Sequence, residues 1–192
     1  MKRIFLIGDS IRQGYDSFVR ENLAEKAHVY WAEDNARFVQ YTFRYLAEWM
    51  KSECDPNLID IVHWNNGLWD VLHQMGDESL IDLEDYEKYL RRIIKRLRQA
   101  APHAKICFAL TTQVVEESFA NPAAFKRSNQ DIEAYNAAAR NVMAEENIPV
   151  DDLYTVSAQM PKAWHSPDGT HFLPEGYQAL GKAVADFLEG QM

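Results

Sequence analysis

Apolar and polar positions follow two different rhythms along this chain. Short, nearly continuous apolar runs occur at residues 4–8, 28–32, 58–64, 106–110 and 148–153. Runs of this kind predict strands buried on both faces rather than strands with one wet side. Between them, apolar residues recur every three or four positions, the spacing of one helix face. Residues 83–100 show it most clearly. Tyr86, Tyr89, Leu90, Ile93, Ile94 and Leu97 form a buried stripe, and Lys88, Arg91, Arg92, Lys95 and Arg96 cover the opposite face. Pro102 follows as a stop signal. Further helices are predicted at 36–51, 131–146 and 174–188, the last with Pro174 in its first turn. Its stripe is Tyr177, Leu180, Val184, Phe187 and Leu188. Strands alternating with helices predict βαβ units, hence an α/β fold with a mostly parallel five-stranded sheet covered by helices. Residues 114–127 follow neither rhythm and are expected to form a loop over the functional site.

Length and charge narrow the functional classes. A chain of 192 residues with 47% apolar content fits one domain with a sizeable core. Its formal net charge of −9 repels nucleic acid and anionic membrane surfaces, so neither is an expected partner. The basic run from Lys88 to Arg96 then reads as a solvated helix face. The apolar run Ile4 to Ile7 is too short for a signal peptide or a membrane span, which predicts a cytoplasmic protein. Cys54 and Cys107, with no C-x-x-C pair or His-rich cluster, read as reduced thiols. No resident metal or cofactor is expected. A flavin would need a phosphate-cradling Ser/Thr/Gly-rich loop after the first strand, and that loop is absent.

In open parallel sheets, ligands bind at the carboxyl ends of the strands, so polar residues placed just after strands carry the functional information. Ser10 is such a residue, in Gly8-Asp9-Ser10. A helix starting there would aim backbone N–H groups and a positive dipole at its hydroxyl. Taken alone, the tripeptide is more often a turn or a helix cap than a site. At the other end, Asp168-Gly169-Thr170-His171 stands just before the last predicted helix. Gly169 permits a tight turn in which the carboxylate can meet the imidazole and fix its tautomer. Ser10, His171 and Asp168 together supply nucleophile, base and orienter.

These two anchors resemble the GDSL/SGNH hydrolases, and the run Asp168-Gly-Thr-His171-Phe-Leu-Pro-Glu-Gly176-Tyr177 carries the resemblance most specifically. The likeness implies a flavodoxin-like, three-layer α/β/α fold and ester or thioester hydrolysis through an acyl-serine. It also implies an oxyanion hole made of the Ser10 N–H, a glycine N–H and an asparagine amide. Two blocks depart from the family pattern. Where a Gly-x-Asn-Asp block should follow the third strand, the chain reads Asn65-Asn66-Gly67-Leu68-Trp69-Asp70. Gly67 and Asp70 fall on the family's Gly and final Asp, and Trp69 on its Asn. Asn65 or Asn66 is left to supply the amide, with Asn66 preferred. Where a Gly-rich turn should follow the second strand, the chain has Glu33-Asp34-Asn35-Ala36-Arg37. A backbone N–H of Asn35 or Ala36 could serve there, although Asn35 equally suits a helix N-cap.

Other residues have both a site reading and a structural one. Asp9 orders the nucleophile loop; Arg12, Gln13 and Tyr15 are candidates for the pocket wall; His165 flanks the Asp-His segment. His63 reads as a core histidine. Trp64, Trp69 and Trp164 could stack on a sugar or simply pack. The leading function is hydrolysis of a small-molecule or carbohydrate ester with a short acyl group such as acetyl. A thioesterase or lysophospholipase and a non-catalytic binding module are the alternatives, with a metal site built from Asp9, Asp70, Asp168 and His171 a weaker one.

Overall fold

The computed structural model describes residues 1–121 and 125–192. In chain order the elements are β1 (Lys2–Ile7), α1 (Ser10–Asn22), β2 (Ala27–Trp31), α2 (Val39–Glu53), β3 (Ile61–Trp64), β4 (His73–Gln74), α3 (Leu83–Ala100), β5 (Lys105–Ala109), β6 (Phe125–Lys126), α4 (Asn129–Glu145), β7 (Val150–Asp151), α5 (Leu153–Ala158) and α6 (Pro174–Glu189). Five strands form one sheet in the order β2-β1-β3-β5-β7, with every neighbouring pair parallel. This is the flavodoxin-like order, and the expected α/β/α fold is the one observed.

Chirality places the helices. The connection from β1 runs outward to β2, whereas each later connection runs the opposite way across the sheet. Right-handed crossovers therefore put α1 on one face and α2, α3 and α4 on the other. The packing agrees: α1 meets α6, which meets α5, while α2 meets α3 and α3 meets α4. The direction reverses at β1, so the loops after β1 and β3 flank the switch point where such folds bind ligands.

The central strands are buried as their unbroken apolar runs predict. Ile4, Phe5, Leu6 and Ile7 are fully buried, as are Val62, Trp64 and Phe108. Burying each large aliphatic side chain contributes about 1.5–3 kcal/mol. The stripe of α3 is buried at Tyr86, Leu90, Ile93, Ile94 and Leu97. Its start is set by Asp82, whose side chain accepts from Asp85 N–H at 2.7 Å. Its basic face divides. Lys88 pairs with Asp85, Arg91 with Glu87 and Glu145, and Arg92 and Arg96 lie over the Phe43 ring.

Several boundaries differ from expectation. The fifth strand shrinks to Val150–Asp151 because Asp152 caps α5 through Thr155 N–H, so Leu153 starts a helix. The third strand begins at Ile61 because Asp55-Pro56 starts a short 3-10 turn, with Asp55 accepting from Asn57 N–H. The second helix starts at Val39, not at 36. The fourth starts at Asn129 because Ser128 caps it through Asp131 N–H. Within 114–127, where a loop is expected, β6 pairs antiparallel with β4 and fastens the end of this segment beside the loop after β3; residues 122–124 lie outside the described residues. Among the described residues, no helix is long and apolar enough to cross a membrane.

Candidate active site

Ser10 is the first residue of α1. Asp9 is the N-cap, fully buried, and its Oδ1 accepts from Ile11 N–H at 2.9 Å. The cap ends the strand and turns the chain sharply, leaving the serine hydroxyl at the carboxyl edge of β1. Gly8 is required by close approach, since a Cβ there would sit 1.9 Å from Asn65 Oδ1. Burial pushes the Asp9 pKa up, opposed by the Ile11 N–H, Asn65, Arg127 and Arg12.

The base arrives on a tight turn before α6. Gly169 adopts φ +76°, a left-handed conformation that glycine reaches without strain. Asp168 Oδ1 accepts from the backbone N–H groups of Thr170 and His171, both at 2.9 Å. Its Oδ2 faces His171 Nδ1 at 2.6 Å. His171 Nε2 then lies 2.8 Å from Ser10 Oγ, across 161 positions of sequence. Desolvation raises the Asp168 pKa, but the bonds from His171 and Thr170 outweigh it and hold the carboxyl below its usual range. A carboxylate fixed on Nδ1 leaves Nε2 to accept the serine proton.

The GDSL-like lipase/acylhydrolase family model matches residues 6–179, which is most of the chain and includes both anchors. The chain belongs to this family. Solved structures of similar fold include the lipase/acylhydrolase from Enterococcus faecalis, 21% identical with a TM-score of 0.79, covering 100% of this chain and 97% of that one. The acetyl xylan esterase AlAXEase is 17% identical with a TM-score of 0.78, covering 97% and 99%. A member of the lipolytic G-D-S-L family from Veillonella parvula is 19% identical with a TM-score of 0.71, covering 98% and 99%. At these identities the likeness to solved structures is one of fold. No curated relative matches by sequence.

The structure also locates the two blocks where this acylhydrolase departs from its family's pattern. Asn66, the preferred amide donor, is spent: Nδ2 donates to Arg37 O at 2.8 Å and to Thr42 Oγ1 at 3.0 Å, and Oδ1 accepts from Trp64 Nε1 at 2.7 Å. An amide with both protons engaged has none for an oxyanion. Asn66 instead ties β3 to the start of α2. Asn65 is different. Its backbone continues the sheet through Ile7 O, its Oδ1 has no protein partner, and its side chain lies against Gly8 and Asp9.

The loop after β2 is likewise committed. Ala36 N–H donates to Gly8 O at 3.0 Å, and Asn35 N–H to Asp34 Oδ1 at 2.8 Å. Neither backbone donor remains free. Asn35 is not the N-cap of α2 either, because its Oδ1 accepts from Arg37 N–H and the helix begins two residues later. Arg37 has φ +49°, so a non-glycine residue holds a left-handed position in this loop. The cap of α2 comes from a distant residue: Asp70 Oδ1 accepts from Val39 N–H at 2.9 Å. Burial raises the Asp70 pKa to about 7.

Gly67 sits with φ +143° against Thr111, where a Cβ would meet Thr111 Oγ1 at 2.0 Å, so its role here is close packing. Arg12 is buried beneath the nucleophile loop. It is 1% exposed, paired with Asp16 at 2.9 Å, and it donates to the carbonyl of Asp34 beneath the nucleophile loop. Gln13 donates to Glu33 O from the surface, and Tyr15 is buried and lines the small cavity beneath the nucleophile loop with Asp9 and Asn65. Trp64 is a core residue packed edge-on against Phe108, which removes it as a sugar platform. Trp69 and Trp164 are half-buried. His165 is buried and stacks on Phe172. His63 is buried and meets Asp151 at 3.0 Å. Among the described residues, no three acidic, His or Cys side chains are grouped to hold a metal ion.

Arg127 is the residue that sequence reasoning missed. It reaches the carbonyl of Leu68 and the hydroxyl of Thr170, and both Asp9 and Asp168 favour its charged form against the cost of burial. Its only sequence signal is a cation at the end of an irregular stretch, just before the capping Ser128.

Proposed function

We propose that this acylhydrolase cleaves carboxylic esters carrying short acyl groups, acetyl above all, from an alcohol that can be a carbohydrate. The observation that carries the reading is the continuous chain Ser10 Oγ, His171 Nε2, His171 Nδ1, Asp168 Oδ2, with bonds of 2.8 and 2.6 Å. Ser10 attacks the ester carbonyl as its proton passes to His171 Nε2. The carbonyl electron pair becomes an oxyanion, which rests on the Ser10 N–H at the α1 terminus and on the Asn65 amide. Asn65 takes that role because Asn66 is spent. Collapse expels the alcohol, which receives the proton from His171. Water, deprotonated by His171, then releases the acid and restores Ser10.

Two features support a small acyl group and a bulky alcohol. The small cavity beneath the nucleophile loop, whose lining includes Asp9, Ile11, Tyr15, Asn65, Leu68 and Thr112, has room for about one water molecule and offers no groove for a long acyl chain. The His171 and Asp168 side chains are 38% and 50% exposed, so the site opens broadly to solvent. The acetyl xylan esterase of similar fold motivates the choice of sugar acetate as the first substrate class to assay. The cytoplasm remains the compartment favoured by two free cysteines.

A fluorophosphonate probe tests the core of the reading. Labelling of wild type but not of Ser10→Ala is expected, together with faster hydrolysis of nitrophenyl acetate and acetylated xylo-oligosaccharides than of nitrophenyl octanoate. Absence of labelling would overturn the enzyme reading in favour of a binding module. Preference for the octanoate would favour a long-chain thioesterase or lysophospholipase.

A further inference from the structure

The turn bearing Asp168 and His171 is braced internally by the bonds of Thr170 and His171 N–H to Asp168 Oδ1 and of Ser166 N–H to His171 O, while the two catalytic side chains stand half in solvent. Its links to the loop after β3 come from the irregular segment between β5 and α4. At the near end, Val115 N–H donates to Gly169 O at 2.7 Å, and a Cβ on Gly169 would come within 2.6 Å of Val115 O. At the far end stands Arg127. Its Nε donates to Leu68 O at 2.5 Å and its Nη1 to Thr170 Oγ1 at 3.4 Å. Leu68 lies in the loop after β3, three residues beyond Asn65. Thr170 lies between the orienter and the base, is 6% exposed, and gives its own N–H to Asp168 Oδ1. The β4–β6 pairing fixes the backbone immediately before Arg127.

We propose that Arg127 is a positioning residue that clamps the Asp168–His171 turn to the loop after β3 and so holds His171 Nε2 at hydrogen-bonding distance from Ser10. The inference rests on the ester-hydrolase reading above. The planar guanidinium holds its Nε and Nη1 donors at a fixed separation and angle that the single rotating ammonium nitrogen of a lysine cannot reproduce. The charge also stands near two carboxylates, Asp9 and Asp168, which offsets the cost of burying it. Releasing the clamp lets the turn drift. A misplacement of about 1 Å in a reacting group can cost roughly 10²-fold in rate.

The test compares wild type, Arg127→Met, Arg127→Lys, Thr170→Val and the double variant Arg127→Met/Thr170→Val, each first checked for folding by circular dichroism. Two quantities are read: the rate of fluorophosphonate labelling at Ser10, and kcat and KM on nitrophenyl acetate. Arg127→Met should slow labelling and kcat by roughly 10- to 100-fold with KM nearly unchanged. Arg127→Lys should fall between it and wild type. Thr170→Val should cost several-fold, and the double variant should be no slower than Arg127→Met alone, because both break one linkage. Labelling of Arg127→Met within about twofold of wild type, a loss confined to KM, or multiplying effects in the double variant would overturn the clamp. Should Arg127→Met fail to fold, Arg127→Lys and Thr170→Val decide: wild-type labelling rates in both would overturn it. Wild type that does not label at all would instead refute the ester-hydrolase reading.

Discussion

Replacing Asp168 by Asn changes one oxygen for an NH₂ and separates orientation from mere presence at the site. Asp168 accepts three hydrogen bonds, two from backbone N–H groups on Oδ1 and one from the imidazole on Oδ2. The amide oxygen of Asn retains the two backbone bonds, so the turn keeps its shape. Its NH₂ then falls at the position of Oδ2, opposite His171 Nδ1, where two donors cannot meet. The ring must present Nδ1 as an acceptor, which puts its proton on Nε2 and aims an N–H at Ser10. A base in that tautomer cannot take the serine proton. The expected loss in kcat is about 10⁴-fold, or about 5 kcal/mol at 1.36 kcal/mol per factor of ten. KM for nitrophenyl acetate should change little and the melting temperature should stay close to wild type. Hydrolysis of nitrophenyl acetate under saturation, with thermal melts of the same samples, measures all three. A variant retaining more than about a tenth of wild-type kcat would refute the role given to Asp168. A large drop in melting temperature would show that the carboxylate acts mainly as a turn brace.

Further expectations follow from the same geometry. Ser10→Ala should abolish probe labelling and leave only background hydrolysis, measured by mass spectrometry of the labelled protein. Asn65→Ala should lower kcat by roughly 10²-fold at wild-type stability if its amide holds the oxyanion. Asn66→Ala should instead lower the melting temperature, because it orphans Trp64 Nε1 in the core at about 1–3 kcal/mol; the reverse pattern would restore Asn66 as the donor. Asp70 titrates at about 7 in the fold against 3.8 when exposed. The folded state therefore binds the extra proton between these values, and this group's contribution to stability falls as pH rises from about 4 to about 7, then levels off. Chemical denaturation across that range should show this downward component in wild type and its loss in Asp70→Asn.

Elements were legible where local pattern decides them. Helix α3 was readable because its apolar stripe, its basic face and the Pro102 stop agree, while its Asp82 cap emerged only in the fold. Strand β3 was overextended because Leu58 is apolar yet 50% exposed, a fact set by its neighbours in space. The β4–β6 ribbon was illegible, because two-residue strands carry no period of their own and exist only through pairing.

The same division runs through the site. Sequence alone determined the chemistry available: an N-terminal Ser10 after a buried strand, an Asp168-x-x-His171 turn before a C-terminal helix, and the parallel sheet that brings strand ends to one edge. Those features depend on short-range patterns, which a linear text preserves. Tertiary structure decided that Asn66 spends its amide inside the fold, that Asp70 caps α2, and that Arg127 reaches across two loops. Each of those outcomes depends on hydrogen-bond partners tens of positions away. Because each amide, carboxylate and guanidinium has a limited set of bonds to give, only the folded chain shows how they are spent.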